Sequence, residues 1–165
     1  MAQGIQALGP PRAAVSSLAA GGDLLFALAC LRRRIPLHIV LPLRQPDFIG
    51  QSVSYAKPED ATVPSPNWLA LYKLVLRRAT TLHFTSKAPY RACARPFKRC
   101  NQAMLHLAQA KAASAHTTVL GVLLLQKDQT SLAGGTQEFG RMLRMKRLMV
   151  NRQFLKYPPS PVHLP

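Results

Sequence analysis

The sequence predicts an α/β fold: three-layered, Rossmann-like, with a mainly parallel sheet of about 4–5 strands and helices on both faces. Three observations carry that reading. Short apolar segments alternate with amphipathic stretches, the pattern of successive βα units. Residues 119–125 are a continuous aliphatic run, which suits a strand buried on both faces. The chain has 165 residues, enough for one domain with one core. At 48% hydrophobic residues it carries the apolar surface that a disordered chain lacks. Its 14 prolines argue against a helical bundle.

In order along the chain, residues 1–12 are an N-terminal tail or helix, and 13–20 are a short strand or the end of a helix. Gly21-Gly22-Asp23 then breaks the pattern. Leu24 to Arg33 reads as a helix with Asp23 as its N-cap and Arg32, Arg33 and Arg34 at the end where the macrodipole favours cations. Pro36 stops it. Leu37 to Leu41 is a short apolar strand closed by Pro42. Pro46, Pro58, Pro64 and Pro66 make 44–66 a loop. Asn67 caps a helix over 68–79, on which Trp68, Leu71, Tyr72, Val75 and Ala79 share one face. Thr81 to Thr85 alternates as a strand. A basic loop leads to a helix from Lys98 to Ala113, with Cys100, Met104, Leu107 and Ala108 inward. Thr117 to Leu125 is the strongest strand. Gly134-Gly135-Thr136 opens a basic helix to about Met149, Val150 to Tyr157 is extended, and 158–165 is a Pro-rich tail.

Charge and cysteine usage narrow the class. The chain has 22 Lys+Arg against 6 Asp+Glu, a net charge of +16, so its partners are expected to be anionic. No run of 18 apolar residues exists, and no basic segment precedes an apolar one at the N-terminus, so membrane spanning and secretion are not expected. Residues 1–22 lack acids and carry Arg12, a faint likeness to a transit peptide. Cys30, Cys93 and Cys100 are an odd number with no C-x-x-C pair, which points to neither a zinc site nor a disulfide framework. The expected setting is reducing and cytoplasmic, with no metal and no cofactor.

In an open parallel sheet, ligands bind beyond the carboxyl ends of the strands, where amides at helix N-termini attract anions. Two Gly-Gly pairs fall at such junctions. At the second, Gly134 and Gly135 let the backbone approach a phosphate, Thr136 offers a hydroxyl, and Glu138 can accept from a ribose or base. The plainer account is a turn whose helix Thr136 caps. At the first, Gly21, Gly22 and Asp23 are a second phosphate turn or merely a turn with an N-cap. Asp47-Phe48 and Ser52-Val53 are a pocket wall or a loop anchored by one aromatic. Asn101, one turn into its helix, is a pocket contact or an exposed polar residue. None of the five histidines has ligand spacing, and no nucleophile elbow is present.

The succession Ala20-Gly21-Gly22-Asp23-Leu24-Leu25-Phe26-Ala27 with Ala29, then Val40-Leu41-Pro42-Leu43, Asp47-Phe48 and Ser52-Val53, resembles a stretch of the SLOG superfamily. Trp68, Thr85, Tyr90, Cys100-Asn101, and Leu123 to Gln126 before Gly134-Gly135-Thr136 follow in the same order. SLOG domains are Rossmann-like and nucleotide-binding, and include the DprA/Smf and lonely-guy proteins. The likeness is greatest to the branch that accompanies TIR, cyclase and tetratricopeptide signalling proteins. It implies a nucleotide-binding domain over 13–157, holding a nucleotide or NAD-derived molecule near Gly21, Gly22 and Asp23 and around Gly134, Gly135, Thr136 and Glu138. It also implies a first strand and Gly-containing turn ahead of residue 13, which the chain begins too late to supply; a truncated, inactive copy fits that departure. Lonely-guy hydrolases carry Pro-Gly-Gly-x-Gly-Thr-x-x-Glu. In this sequence Ala133 replaces the proline, a glycine is absent, and Glu138 follows Thr136 by two positions rather than three. One residue on a helix rotates a side chain by about 100°.

The leading expectation is therefore a ligand-sensing module without turnover. Its partner is a nucleotide-like anionic small molecule, with a second copy of the chain or a signalling protein beyond it. Two alternatives stand beside it. One is a lonely-guy-like nucleotide N-glycoside hydrolase, which the Glu138 spacing disfavours. The other is a basic RNA-binding protein using Arg77 and Arg78, then Arg91, Arg95, Lys98 and Arg99, and finally Arg141, Arg144, Lys146 and Arg147. Such clusters release counterions from a phosphate backbone. The plainer account is that they are solvated faces of an arginine-rich chain.

Overall fold

The computed structural model describes residues 10–54, 67–126 and 135–155. Its architecture is α/β. The first half runs β1 (Ala14–Ser16), α1 (Gly22–Arg32), β2 (Leu37–Leu41), a short α2 (Gln45–Phe48) continuing into a π-helical turn over Ile49–Val53, α3 (Trp68–Arg78) and β3 (Thr81–Phe84). The second half is α4 (Arg95–Ser114), β4 (Leu120–Gln126), α5 (Thr136–Met145) and β5 (Met149–Leu155). Every strand pairing is parallel: β1, β2 and β3 form one sheet with β2 in the middle, and β4 pairs with β5. The strands are thus hydrogen-bonded as three and two, where the sequence predicts a single sheet. β1 is only three residues long because the chain leaves the extended conformation at Leu18, whose φ is 67°. It offers the seven-residue β4 little backbone to pair with.

β2 explains its own composition. Leu37, Ile39 and Leu41 face the main core with Leu24 and Ala27 of α1 and Tyr72 and Val75 of α3. Val40 points the other way, against Cys100 and Met104 of α4. All five β2 residues are buried, so the strand reads as a continuous apolar run rather than an alternating one. The polar exception, His38, places Nδ1 2.9 Å from Thr81 Oγ1 on β3. A second core joins Leu105, Leu123 and Leu143, with Phe139, Met142, Leu148 and Val150 packed against it.

Three local expectations need correction. Asp23 is not the N-cap of α1. That position is Gly21, at φ 93°, a conformation natural to glycine, and Asp23 lies inside the first turn. The part of the expected 44–66 loop that is described, 44–54, is mostly helical: Pro46 sits in the first turn of α2, where its missing N–H is no loss, and Phe48 and Val53 are driven into the core. For the same reason Pro96 starts α4 at Arg95, three residues early. Residues 55–66 lie outside the described set, as do 1–9, 127–134 and 156–165.

The expected cap of α3 is present: Asn67 Oδ1 accepts from Ala70 N at 2.9 Å. Asn67→Ala should lower stability by about 1 kcal/mol. Urea denaturation checks this as a lower midpoint with an unchanged slope.

The helix ends share a device. In α1, Arg34 N donates to Leu31 O and Ile35 N to Cys30 O; in α4, His116 N to Ala113 O and Thr117 N to Ala112 O; in α5, Arg147 N to Arg144 O and Leu148 N to Leu143 O. Each is a Schellman turn, whose left-handed position usually holds glycine. Arg34 (φ 56°), His116 (φ 49°) and Arg147 (φ 53°) occupy it instead. A side chain in that conformation costs about 1 kcal/mol, roughly what a cation at a helix C-terminus returns.

Candidate functional site

Because the helices return antiparallel to the strands they connect, their N-termini collect at the carboxyl edge of the strands. Three of them, α1 entered through Gly21-Gly22, α4 through Ala94 and α5 through Gly135, have no side-chain cap. Uncapped N–H groups and the positive dipole end suit an anion. Thr136 is the first residue of α5 and does not cap it.

Gly22 sets how closely these elements meet. A Cβ there would lie 3.0 Å from Leu124 Cδ2, so α1 presses its first turn against β4. Phe139 of α5 and Val15 of β1 both pack against the cluster formed by Val40 of β2 with Cys100 and Met104 of α4. The ends of β1 and β4 and the starts of α1, α4 and α5 therefore surround one region.

Asp23 Oδ2 accepts from Ser17 Oγ at 2.6 Å and from Ala19 N at 3.2 Å, which braces the β1–α1 loop. Burial raises its carboxyl above the ordinary value, and the two hydrogen bonds only partly offset that. Cys100 Sγ donates to Val40 O at 3.2 Å. Burial pushes its thiol up to about 12, and the charge of Asp23 adds to the rise. Asn101, beside it, is 7% exposed, so its side chain is a buried polar group rather than a surface one. Across α4, Lys98 Nζ lies 3.7 Å from Glu138 Oε1 in the first turn of α5.

Of the predicted ligand residues, Gly21, Gly22, Asp23, Asn101, Gly135, Thr136 and Glu138 all lie at this edge, and Gly134 lies outside the described residues. Glu138 is engaged with Lys98, which competes with its expected role as a ribose acceptor. In sequence Lys98 belongs with the nucleic-acid candidates, and its spacing of three from Asn101, one helical turn, is the signal that both face the same region. Asp47 and Phe48 are both engaged within their own neighbourhood. Asp47 Oδ2 accepts from Arg44 Nε at 2.6 Å and Tyr90 N at 3.0 Å, and these bonds hold its carboxyl below the usual value. Phe48 packs on Tyr72 with ring centroids 6.0 Å apart. Ser52 O accepts from Ala20 N at 2.8 Å, tying the π turn to the β1–α1 loop.

The ten basic candidates do not form one patch. Arg91, Arg95, Lys98 and Arg99 precede or open α4, at the carboxyl edge. Arg77 and Arg78 close α3, and Lys146 and Arg147 follow α5, at the opposite edge, with Arg141 and Arg144 along α5 between the two. Among the described residues no group of three His, Cys, Asp or Glu side chains could hold a metal, and no helix is long and apolar enough to cross a membrane. All three cysteines are free thiols. No protein-family model matches the chain, and no curated protein matches it significantly.

Proposed function

We propose that the chain is a binding module for a nucleotide-like anionic small molecule, held at the carboxyl edge of the strands without turnover. The observation that carries this is the convergence of three uncapped helix N-termini, those of α1, α4 and α5, on one edge. The finer architecture belongs to the same proposal. Leu124 against Gly22, and Phe139 and Val15 on one shared cluster, favour β4 lying beside β1, so that the strands run in the order β3-β2-β1-β4-β5 as one Rossmann-like sheet. The region between β1 and β4 is then the point where strand order reverses, which is where such sheets take ligands. The SLOG resemblance supports the same site. Binding without hydrolysis is the reading supported by the placement of the acids: Asp23 Oδ2 is turned to Ser17 and Ala19 of its own loop, and Glu138 faces Lys98. A cytoplasmic setting is part of this reading, supported by the free thiols.

A thermal-shift series with ATP, ADP, NAD and ADP-ribose tests it. A ligand that binds only the native state, present at about a hundred times its Kd, adds about 2.7 kcal/mol. One of the four should raise the Tm by several degrees and still do so in about 300 mM KCl, where exposed charges are screened. Thr136→Ala with Glu138→Ala should weaken that binding at least tenfold while the unliganded Tm stays near the parent's. Parental affinity in the double variant would make the α5 turn a structural one only.

A further inference from the structure

The opposite edge of the strands carries a different chemistry. The helices end there, with basic residues in their last turns (Arg32, Arg77, Arg78 and Lys111) or in the connectors that follow (Arg33, Arg34, Lys146 and Arg147). Pro36 O accepts from Ala14 N, and Thr80 Oγ1 accepts from Leu37 N at 3.1 Å, so the starts of β1, β2 and β3 are held side by side. Arg33 and Arg34 precede β2, and Arg77 and Arg78 close the helix that precedes β3, so both pairs lie at this edge. Lys111, near the end of α4, is close enough to His38 at the start of β2 to lower its pKa, although burial does more. Leu120 pairs with Met149, which sets the α4–β4 connector beside Lys146 and Arg147. All of these cations are exposed.

The acids lie elsewhere. Asp23, Asp47 and Glu138 are the acidic residues among those described, and each sits in the first turn of a helix, at the carboxyl edge. Both described ion pairs, Arg44–Asp47 and Lys98–Glu138, are there too. The carboxyl edge therefore mixes cations with all three described acids, whereas the amino edge is an exposed cationic rim that faces no described acid.

Helix capping gives no net reason for the rim. Arg34 and Arg147 hold left-handed positions that glycine would fill with less strain, and that strain cancels about what the cation returns to the helix end. Outside His116, six of the eight rim cations are arginine (Arg32, Arg33, Arg34, Arg77, Arg78 and Arg147; the others are Lys111 and Lys146), and the planar guanidinium matches phosphate oxygens in pairs. No aromatic residue lies in these connectors to seat in a bilayer.

We infer that this amino-edge rim binds the phosphate backbone of a nucleic acid, without sequence preference, as a second anion site independent of the carboxyl-edge one. The contact is electrostatic, so each phosphate neutralised on a single strand steepens the salt dependence by about 0.7.

Fluorescence anisotropy with labelled single-stranded RNA of roughly 20 nucleotides, in two unrelated sequences and across about 50 to 300 mM KCl, tests the proposal. Arg34→Gly with Arg147→Gly should weaken both RNAs about tenfold and flatten the salt slope by about 1.4, while the Tm is unchanged or higher. Arg33→Gln with Arg78→Gln, away from the left-handed positions, should do the same and serves if the glycine pair misfolds. Lys73→Gln with Lys87→Gln removes equal charge off the rim and should cost less than threefold. Equal losses in rim and off-rim variants would overturn the proposal in favour of net charge alone. So would failure of the parent to bind either RNA in low salt, including the case where it sediments with phosphatidylserine vesicles instead.

Discussion

Leu143→Ala is expected to cost about 2–5 kcal/mol, among the largest losses any single truncation gives in this chain. Leu143 is 1% exposed, so its side chain is fully withdrawn from water, and its place is set by a glycine. A Cβ on Gly121 would stand 2.4 Å from Leu143 Cδ1 and 3.4 Å from its Cδ2, so α5 rests on bare backbone of β4. The reverse contact repeats the device: a Cβ on Gly140 of α5 would stand 2.6 Å from Leu123 Cδ1. Each leucine seats over the glycine of the facing element. Gly121→Ala should then cost about 1–3 kcal/mol by overpacking, against the usual gain when alanine replaces a strand glycine. In the double variant the added methyl enters the space Leu143 vacates. The combined loss should fall short of the sum by about 1–2 kcal/mol, a coupling that only touching residues show. Urea denaturation of the four proteins measures it, and strict additivity would mean that α5 does not sit on β4 as described. The seat matters at both ends of α5, because it positions the uncapped N-terminus at one edge and Arg147 at the other.

How far the sequence discloses this arrangement differs by element. β2, α3 and β3 are legible because each has one dominant signal: the run Leu37 to Leu41, the cap Asn67 with a clean apolar stripe, and the alternation from Thr81. Proline misleads in two places. Pro46 and Pro96 read as breakers, but both stand in first turns, where the ring fits and the lost N–H has no partner to miss. Asp23 misleads because carboxylates next to glycine pairs usually cap. Its role depends on Ser17 and Ala19, which reach it only after Leu18 turns the chain. The glycines Gly121 and Gly140 show no pattern in sequence, since their meaning lies in leucines about twenty residues away. The candidate site is legible as a set of helix starts. That Lys98 meets Glu138 is not, because the pairing joins α4 to α5 through tertiary packing.

Asp23 governs the second large effect. Its carboxyl is buried and holds its proton to higher pH in the folded chain than in the unfolded one, whose ordinary value is 3.8. Between those two values the native state binds more protons, so this group's contribution to stability declines as pH rises and then levels off above the folded value. Wherever the carboxyl ionises it becomes a desolvated charge, a burden that the hydrogen bonds from Ser17 and Ala19 only partly offset. Asp23→Asn keeps an oxygen for both donors and drops the charge. It should be as stable as the parent or more so at pH 7, and the difference between the two proteins should shrink toward acid. Taking that difference matters because Asp47, whose pKa is lowered by Arg44, acts in the opposite sense: its contribution is lost as pH falls. Asp23→Ala leaves the Ser17 hydroxyl and the Ala19 amide without their acceptor and should cost about 1–3 kcal/mol at every pH. Urea midpoints for the three proteins from about pH 3 to 8 separate these outcomes. An Asn variant clearly weaker than the parent at neutral pH would mean that the charge is wanted, and that Asp23 faces a cation at the carboxyl edge rather than merely bracing the loop beneath a bound anion. The proposed ligand makes the same demand, since a phosphate beside the α1 N-terminus is best accommodated when the nearest carboxyl is turned into the loop and resists ionisation.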